Sequence, residues 1–269
     1  MSRTAVYSAL VLRSRPSGES NNEISLLTAE EGVIKATVFG GPKSKLRSHA
    51  APYNSGQVWI YRDPAKDYGK LNDFDVHSWR PGLRELYERT MAASGVAETI
   101  LCSHGGGGEW EAALKLAVST LDALENANEE LCERLLVHFL WRWAGFLGIQ
   151  PHIESCTACG AACGAASGGA EDAPLWFSPK EGSALCENCV PKSSSVPVGQ
   201  ALSPKSSSVP AGFLRLNPGC RRWLAAVGPL EPTILHRYSM DSRSFREAKS
   251  LATAVLTWAL GKRLASWDF

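Results

Sequence analysis

No apolar run in this chain reaches the ~20 residues that a helix needs to cross a bilayer. The opening Met1-Ser2-Arg3-Thr4-Ala5-Val6-Tyr7-Ser8 lacks a long apolar region and a cleavage site, so no secretory signal is expected. A dominant charge is lacking as well, and the net of +1 excludes a uniformly basic nucleic-acid binder. The run Gly105-Gly106-Gly107-Gly108 has no strand before it and no Lys-Ser or Lys-Thr after it. It therefore reads as an interhelical loop and not as a phosphate cradle. No convincing carboxylate cluster offers the general base that metal-assisted hydrolysis needs, so no enzyme is expected, with a zinc-dependent nucleic-acid hydrolase and a structural adaptor without DNA affinity as the alternatives. What remains is a cytoplasmic globular protein of two or three domains in 269 residues.

Cysteine, by contrast, is present and patterned. Eight cysteines in such a chain fit a reducing compartment with a metal site better than a disulfide framework. Cys156-Thr157-Ala158-Cys159 and Cys186-Glu187-Asn188-Cys189 are separated by 26 residues. Two tight turns of this kind supply four sulfur ligands to a tetrahedral ion, typically a structural Zn2+, and leave no position for water or substrate. The insert is somewhat longer than the usual ribbon spacing, and two short disulfides or free thiols stay open as alternatives. Cys163 breaks the pairing symmetry and reads as a spare. His152-Ile153-Glu154 before Cys156 has the letters of a zinc deaminase, but Ser155 alone leaves no room for the intervening strand and helix. Cys102, Cys132 and Cys220 stand alone and read as small buried side chains.

The charge is unevenly spread. Residues 1–80 carry 11 Lys and Arg against 8 Asp and Glu, residues 81–189 carry 6 against 15, and residues 190–269 carry 11 against 4. Two basic ends around an acidic middle would bind a polyanion at the ends. The first 80 residues also read as five short strands: 4–12, Ile24 to Thr28, Val33 to Phe39, Gln57 to Tyr61 and Leu71 to Trp79. Arg13 to Gly18 reads as a basic turn and Lys43 to His49 as a basic loop. Such a series fits a small Greek-key barrel.

Pro81-Gly82 marks a boundary, after which the apolar period becomes helical. Helices are expected from Leu83, over Trp110 to Leu124, and from Asn128 to about Leu147. The third is apolar nearly all round its centre, which predicts a buried position for His138, Trp141 and Trp143. Lys192 to Pro197 recurs as Lys205 to Pro210, a serine- and proline-rich linker. Two last helices are expected, over Cys220 to Val227 and Phe245 to Leu264.

In this order the segments resemble a known family. Val11-Leu12-Arg13-Ser14-Arg15-Pro16-Ser17-Gly18-Glu19-Ser20 is similar to its first strand and Gly-Glu turn, and Leu26 to Gly32 to its next hairpin. Gly40-Gly41-Pro42-Lys43-Ser44-Lys45-Leu46 resembles its Gly-to-Lys-Ser loop, with Gly41 where a basic residue is common. Leu147-Gly148-Ile149-Gln150-Pro151 with Cys156 and Cys159 resembles its entry to a zinc module, and Leu260 to Ser266 its closing helix. The family is that of the bacterial recombination and repair mediator RecO.

The resemblance implies an α+β multidomain chain. An N-terminal OB-fold β-barrel over 1–80 is followed by an all-α helical domain over 81–152, with an inserted four-cysteine zinc module over 153–190. A linker over 191–211 leads to C-terminal helices over 212–269 that pack on the helical domain. The implied function is non-enzymatic: binding of single- and double-stranded DNA, annealing of complementary strands, and cooperation with RecR. Recognition of the acidic tail of the single-stranded DNA-binding protein (SSB) and help in loading RecA are implied too, as is a nucleoid-associated location. OB barrels track phosphates with cations and stack bases on aromatics. The available cations are Arg13, Arg15, Lys35, Lys43, Lys45, Arg47 and Arg62, with Arg221 and Arg222 near the C-terminus. Tyr53, Trp59 and Tyr61 are the candidate platforms, and Arg142 a candidate cation for the tail's carboxylate.

Overall fold

The computed structural model describes residues 4–41, 44–63, 68–162, 173–191 and 212–269. The chain divides into two compact units: Met1–Gly148 with Glu231–His236 and Leu264–Phe269, and Ile149–Leu230 with Arg237–Arg263. The repeat of residues 192–210 and Cys163 lie outside the described residues.

In the first unit, five strands close into a barrel: β1 (Thr4–Ser17), β2 (Asn21–Thr28), β3 (Gly32–Val38), β4 (Ser55–Asp63) and β5 (Tyr68–Ser78). Their spatial order is β1-β2-β3-β5-β4, with β4 returning to pair with β1, the connectivity of an OB-like barrel. The period of two decides which side chains enter. Tyr7, Ala9, Val11, Ile24, Leu26, Ala36, Val38, Val58, Ile60, Leu71 and Phe74 fill the interior. Leu10, Leu12 and Leu27 point the other way yet are also buried. The helices α2 (Tyr87–Cys102) and α3 (Trp110–Leu124) cover that side of β1 and β2.

Two local expectations are corrected here. Arg13 to Ser17 is not a turn but the end of β1, because Ser17, Pro16, Arg15 and Ser14 pair with Asn21 to Ile24 of β2. The basic loop contains a short helix, α1 (Lys45–His49). The glycine run serves packing. A Cβ on Gly107 would run into the carbonyl oxygen of Phe146 at the end of α4 (Glu129–Phe146).

Within α4 the expectation of all-round burial holds: His138, Trp141 and Trp143 are buried. Trp143 stacks on Phe139 at 5.3 Å, and its Nε1 donates to Ser103 Oγ at 2.8 Å. Asn128 caps this helix by accepting from Leu131 N.

The barrel is fastened to the helices by a residue that pattern reading passes over. Arg80 is 2% exposed and has φ 47. Its Nη1 donates to Tyr53 O at 2.6 Å, its Nη2 to Ser55 Oγ at 3.0 Å and its Nε to Asp122 Oδ1 of α3 at 2.7 Å. A second contact is the approach of Gly32 to Trp110, where an added Cβ would lie 2.8 Å from the indole Nε1, at a φ of +69. Gly32→Ala is therefore expected to cost about 2 kcal/mol, read as a lower denaturation midpoint at unchanged m-value. An unchanged midpoint would show that α3 yields freely at this contact.

The last residues complete the same unit. Trp267 is fully buried and donates from Nε1 to Thr99 Oγ1 at 2.9 Å, while Ser266 Oγ donates to Glu98 Oε2 at 2.6 Å.

The second unit is built on a three-stranded sheet of order β7-β6-β8, made of β6 (Leu175–Ser178), β7 (Ser183–Cys186) and β8 (Leu214–Leu216). The helix α6 (Ser242–Leu260) packs on β8 and on α5 (Pro218–Val227). Asn217 caps α5 and is itself held by Ser244 of α6. Of the segment 212–269, then, residues up to 230 and from 237 to 263 fold with the cysteine module, and Leu264–Phe269 with α2. Among the described residues, no helix is long and apolar enough to cross a membrane.

Candidate metal centre and nucleic-acid interface

The two cysteine turns converge. The Sγ atoms of Cys156, Cys159, Cys186 and Cys189 all lie within 4.8 Å of one another. Backbone geometry sets each turn: Gly160 N donates to Cys156 O at 2.9 Å, and Cys189 N to Cys186 O at 3.0 Å. Thr157 joins them, donating from its amide and its Oγ1 to Ala184 O at 2.8 and 3.0 Å. None of the seven cysteines among the described residues is in a disulfide.

The set fits a tetrahedral ion. With metal–sulfur bonds of ~2.3 Å, neighbouring sulfurs stand about 3.8 Å apart; Cys159 Sγ and Cys186 Sγ are 3.8 Å apart. Burial raises the Cys156 thiol, but amides of Cys186, Cys159 and Ala158 donate to it and bring it down to about 6. Hydrogen bonding to the thiols of Cys159 and Cys186 pushes Cys189 up to about 12. Four thiols at this spacing repel as thiolates, and a divalent cation among them removes that repulsion. The cluster could hold a metal ion through these four residues, which fills the coordination sphere and makes the ion structural.

The barrel cations are sorted by register. Arg13, Ser25 and Lys35 are direct neighbours across β1, β2 and β3, with Ser25 buried, Arg13 half-buried and Lys35 exposed. One row along lie Arg15, Glu23, Thr37 and Lys70, and Lys70 neighbours Tyr61 on β4. Arg15, Lys35 and Lys70 are exposed. Lys35 meets Glu23 at 3.6 Å, an exposed pair too weak to hold it against a phosphate. Lys70 and Phe39 were not expected as site residues. Phe39 is 40% exposed, with Lys70 Nζ 5.6 Å from its ring centroid. The signal was the alternation about Leu71, whose inward position turns Lys70 outward.

The other candidates separate. Lys45 is exposed and Arg47 half-buried on α1, and Lys43 lies outside the described residues. Arg62 is committed to Glu31 at 2.5 Å and lies over the Tyr7 ring. Burial and the bond to Glu31 together raise the Tyr7 hydroxyl. Tyr53 is no platform, because its hydroxyl meets Ser94 Oγ at 3.0 Å and its carbonyl accepts from Arg80. Trp59 faces outward between Val6 and Asp73, so an acid lies beside it. Arg221 is corrected: it is 5% exposed and donates from Nη2 to Ala173 O at 2.7 Å, which takes it off the surface. Arg222 is exposed on α5.

Comparison with known proteins agrees with this arrangement. Residues 1–79 match the family model described as recombination protein O N terminal, and residues 84–268 the one described as recombination protein O C terminal. The chain is similar to the DNA repair protein RecO of Desulfitobacterium hafniense (strain DSM 10664 / DCB-2), 27% identical over 97% of this chain and 86% of that one. It is also similar to DNA repair protein RecO of Anaeromyxobacter dehalogenans (strain 2CP-1 / ATCC BAA-258), 29% identical over 98% and 95%. That of Myxococcus xanthus (strain DK1622) is 29% identical over 97% and 94%. With its barrel matched by one half of the family's description and its helices and cysteine module by the other, the protein belongs to the recombination protein O family.

Proposed function

We propose that the protein is a non-enzymatic mediator of DNA recombination and repair. In this reading it binds single- and double-stranded DNA and anneals complementary strands. With RecR, it helps RecA load on strands coated by SSB, whose acidic tail it recognises. Zinc holds the cysteine module together. The protein works in the cytoplasm at the nucleoid. The barrel of residues 1–80 carries DNA, residues 81–152 meet protein partners, and residues 153–190 form the zinc module.

The observation that carries the reading is the row of Arg15, Glu23, Thr37, Lys70 and Tyr61, beside Arg13, Lys35 and Phe39, in which the one acid, Glu23, faces Lys35. Cations spaced across one barrel face follow a phosphate backbone, and the aromatics offer flat surfaces to bases. Annealing needs no catalytic group: neutralised phosphates repel less, and holding two strands raises their effective concentration. The test is annealing of complementary strands precoated with the cognate single-stranded DNA-binding protein, with and without its C-terminal tail. Annealing that depends on both this protein and the tail is expected; none, with folded zinc-loaded protein, overturns the reading. Replacing Arg15 and Lys70 by alanine together is expected to lower the salt slope of single-strand binding by about 1.4, or ~0.7 per phosphate contact. An unchanged slope removes this row from the interface.

A further inference from the structure

Three arginines in the second unit line one cavity of about 370 Å³, widely open to solvent, together with Phe213, Glu247 and Ser250. Arg215 comes from β8, directly across from Trp176 on β6, with its guanidinium carbon 6.0 Å from that ring's centroid. Arg243 and Arg246 come from the start of α6. Three guanidiniums and one carboxylate leave the lining with a net of +2.

The carboxylate is already occupied. Glu247 Oε2 accepts from Asn217 N at 2.5 Å. Its Oε1 lies 3.4 Å from Arg243 Nε and 3.9 Å from Arg215 Nη1, the latter beyond hydrogen-bond reach. The neighbouring acid, Asp241, is used by the helix, accepting from the amides of Arg243 and Ser244. Arg215 Nε and Nη1 are buried and meet no hydrogen-bond acceptor among the described residues, while the side chain as a whole stays 24% exposed and lines the cavity. A buried charged donor without an acceptor is costly, and folded proteins keep few of them. An oxyanion against the exposed part of the guanidinium offsets its charge, and arginine suits phosphate oxygens in particular.

We propose that this cavity is a phosphodiester site for a single strand of DNA, with Arg215, Arg243 and Arg246 on the phosphate and Phe213 beside the base. It rests on the DNA-binding reading above and adds to it a site on the unit that does not contain the barrel. Phe213 favours a nucleic-acid strand over an acidic peptide, because a base stacks on a ring next to a bound phosphate.

The experiment uses the full-length zinc-loaded protein, a labelled oligothymidylate and the double variant Arg243→Ala with Arg246→Ala. Arg215→Lys, which keeps the charge but loses the fork, is measured beside it. Melting and zinc content serve as folding controls. The double variant is expected to lose about 1.4 from the salt slope, at ~0.7 per phosphate contact. Arg215→Lys is expected to weaken binding at every salt concentration. Unchanged slope and affinity in both variants overturn the inference, as does an effect confined to an acidic peptide probe. If the wild type binds but only the Arg15 and Lys70 variant loses slope, DNA binding stands and this site falls. A wild type that binds no oligonucleotide removes both.

Discussion

Replacing Arg80 by alanine is expected to lower the midpoint of thermal unfolding by roughly 6–12 °C, the shift that a loss of ~3 kcal/mol gives in a unit of this size. The reasoning follows the three bonds. Removing the guanidinium leaves Tyr53 O and Ser55 Oγ without their donor and opens a gap beside the barrel wall. Breaking a buried pair from one side costs about 3–5 kcal/mol when the remaining charge stays buried. Asp122 is 44% exposed and finds water, which puts the loss at the lower end. The backbone offers an internal control. Arg80 sits at φ 47, a region that costs a side chain roughly 1–2 kcal/mol. Glycine at this position loses the same bonds but relieves that strain, so Arg80→Gly should melt above Arg80→Ala. Equal melting of the wild type and the alanine variant would show that the helices hold the barrel without this residue.

Cys156→Ser should have the second large effect, confined at first to the other unit. Cys156 is buried, and three amides point at its sulfur. A hydroxyl in its place is a poor ligand, and the other three thiols then lie close together around an incomplete sphere. Metal affinity in such modules is folding free energy, on the order of 10 kcal/mol for small zinc domains. With zinc in the cluster as proposed, the variant is expected to lose it, with loss of amide protection in the β6–β7 hairpin that ends at Cys186. Elemental analysis and hydrogen exchange read the two separately. Full zinc and unaltered protection in the variant would sink the four-cysteine assignment.

Sequence pattern and structure part company where contacts are distant. The helix Trp110–Leu124 was legible at both ends, since an apolar period lies between glycines and a polar stretch. The cysteine cluster was legible because each pair is local and only the meeting of the pairs needed the fold. The end of β1 was not legible: pairing to β2 holds Arg13 to Ser17 where burial does not, so the apolar signal stops before the strand does. Arg80 reads as a boundary residue, and its partners lie 25 to 42 residues away. Arg221 and Arg222 look alike in sequence, but adjacent positions on a helix face different ways, and Arg221 is the one turned into the fold. The row proposed to meet nucleic acid depends on strand register, which brings Arg15 and Lys70 to one level and which no linear pattern encodes.

The return of Leu264–Phe269 to the first unit bears on how the protein is made. A ribosome delivers the barrel and α2 to α4 early, yet Trp267, which fills a site against Thr99, is translated after the whole of the second unit. Until then the nascent first unit exposes the apolar slot that this indole closes. Its final closure waits on synthesis of the far end, and the interval is a natural station for a chaperone.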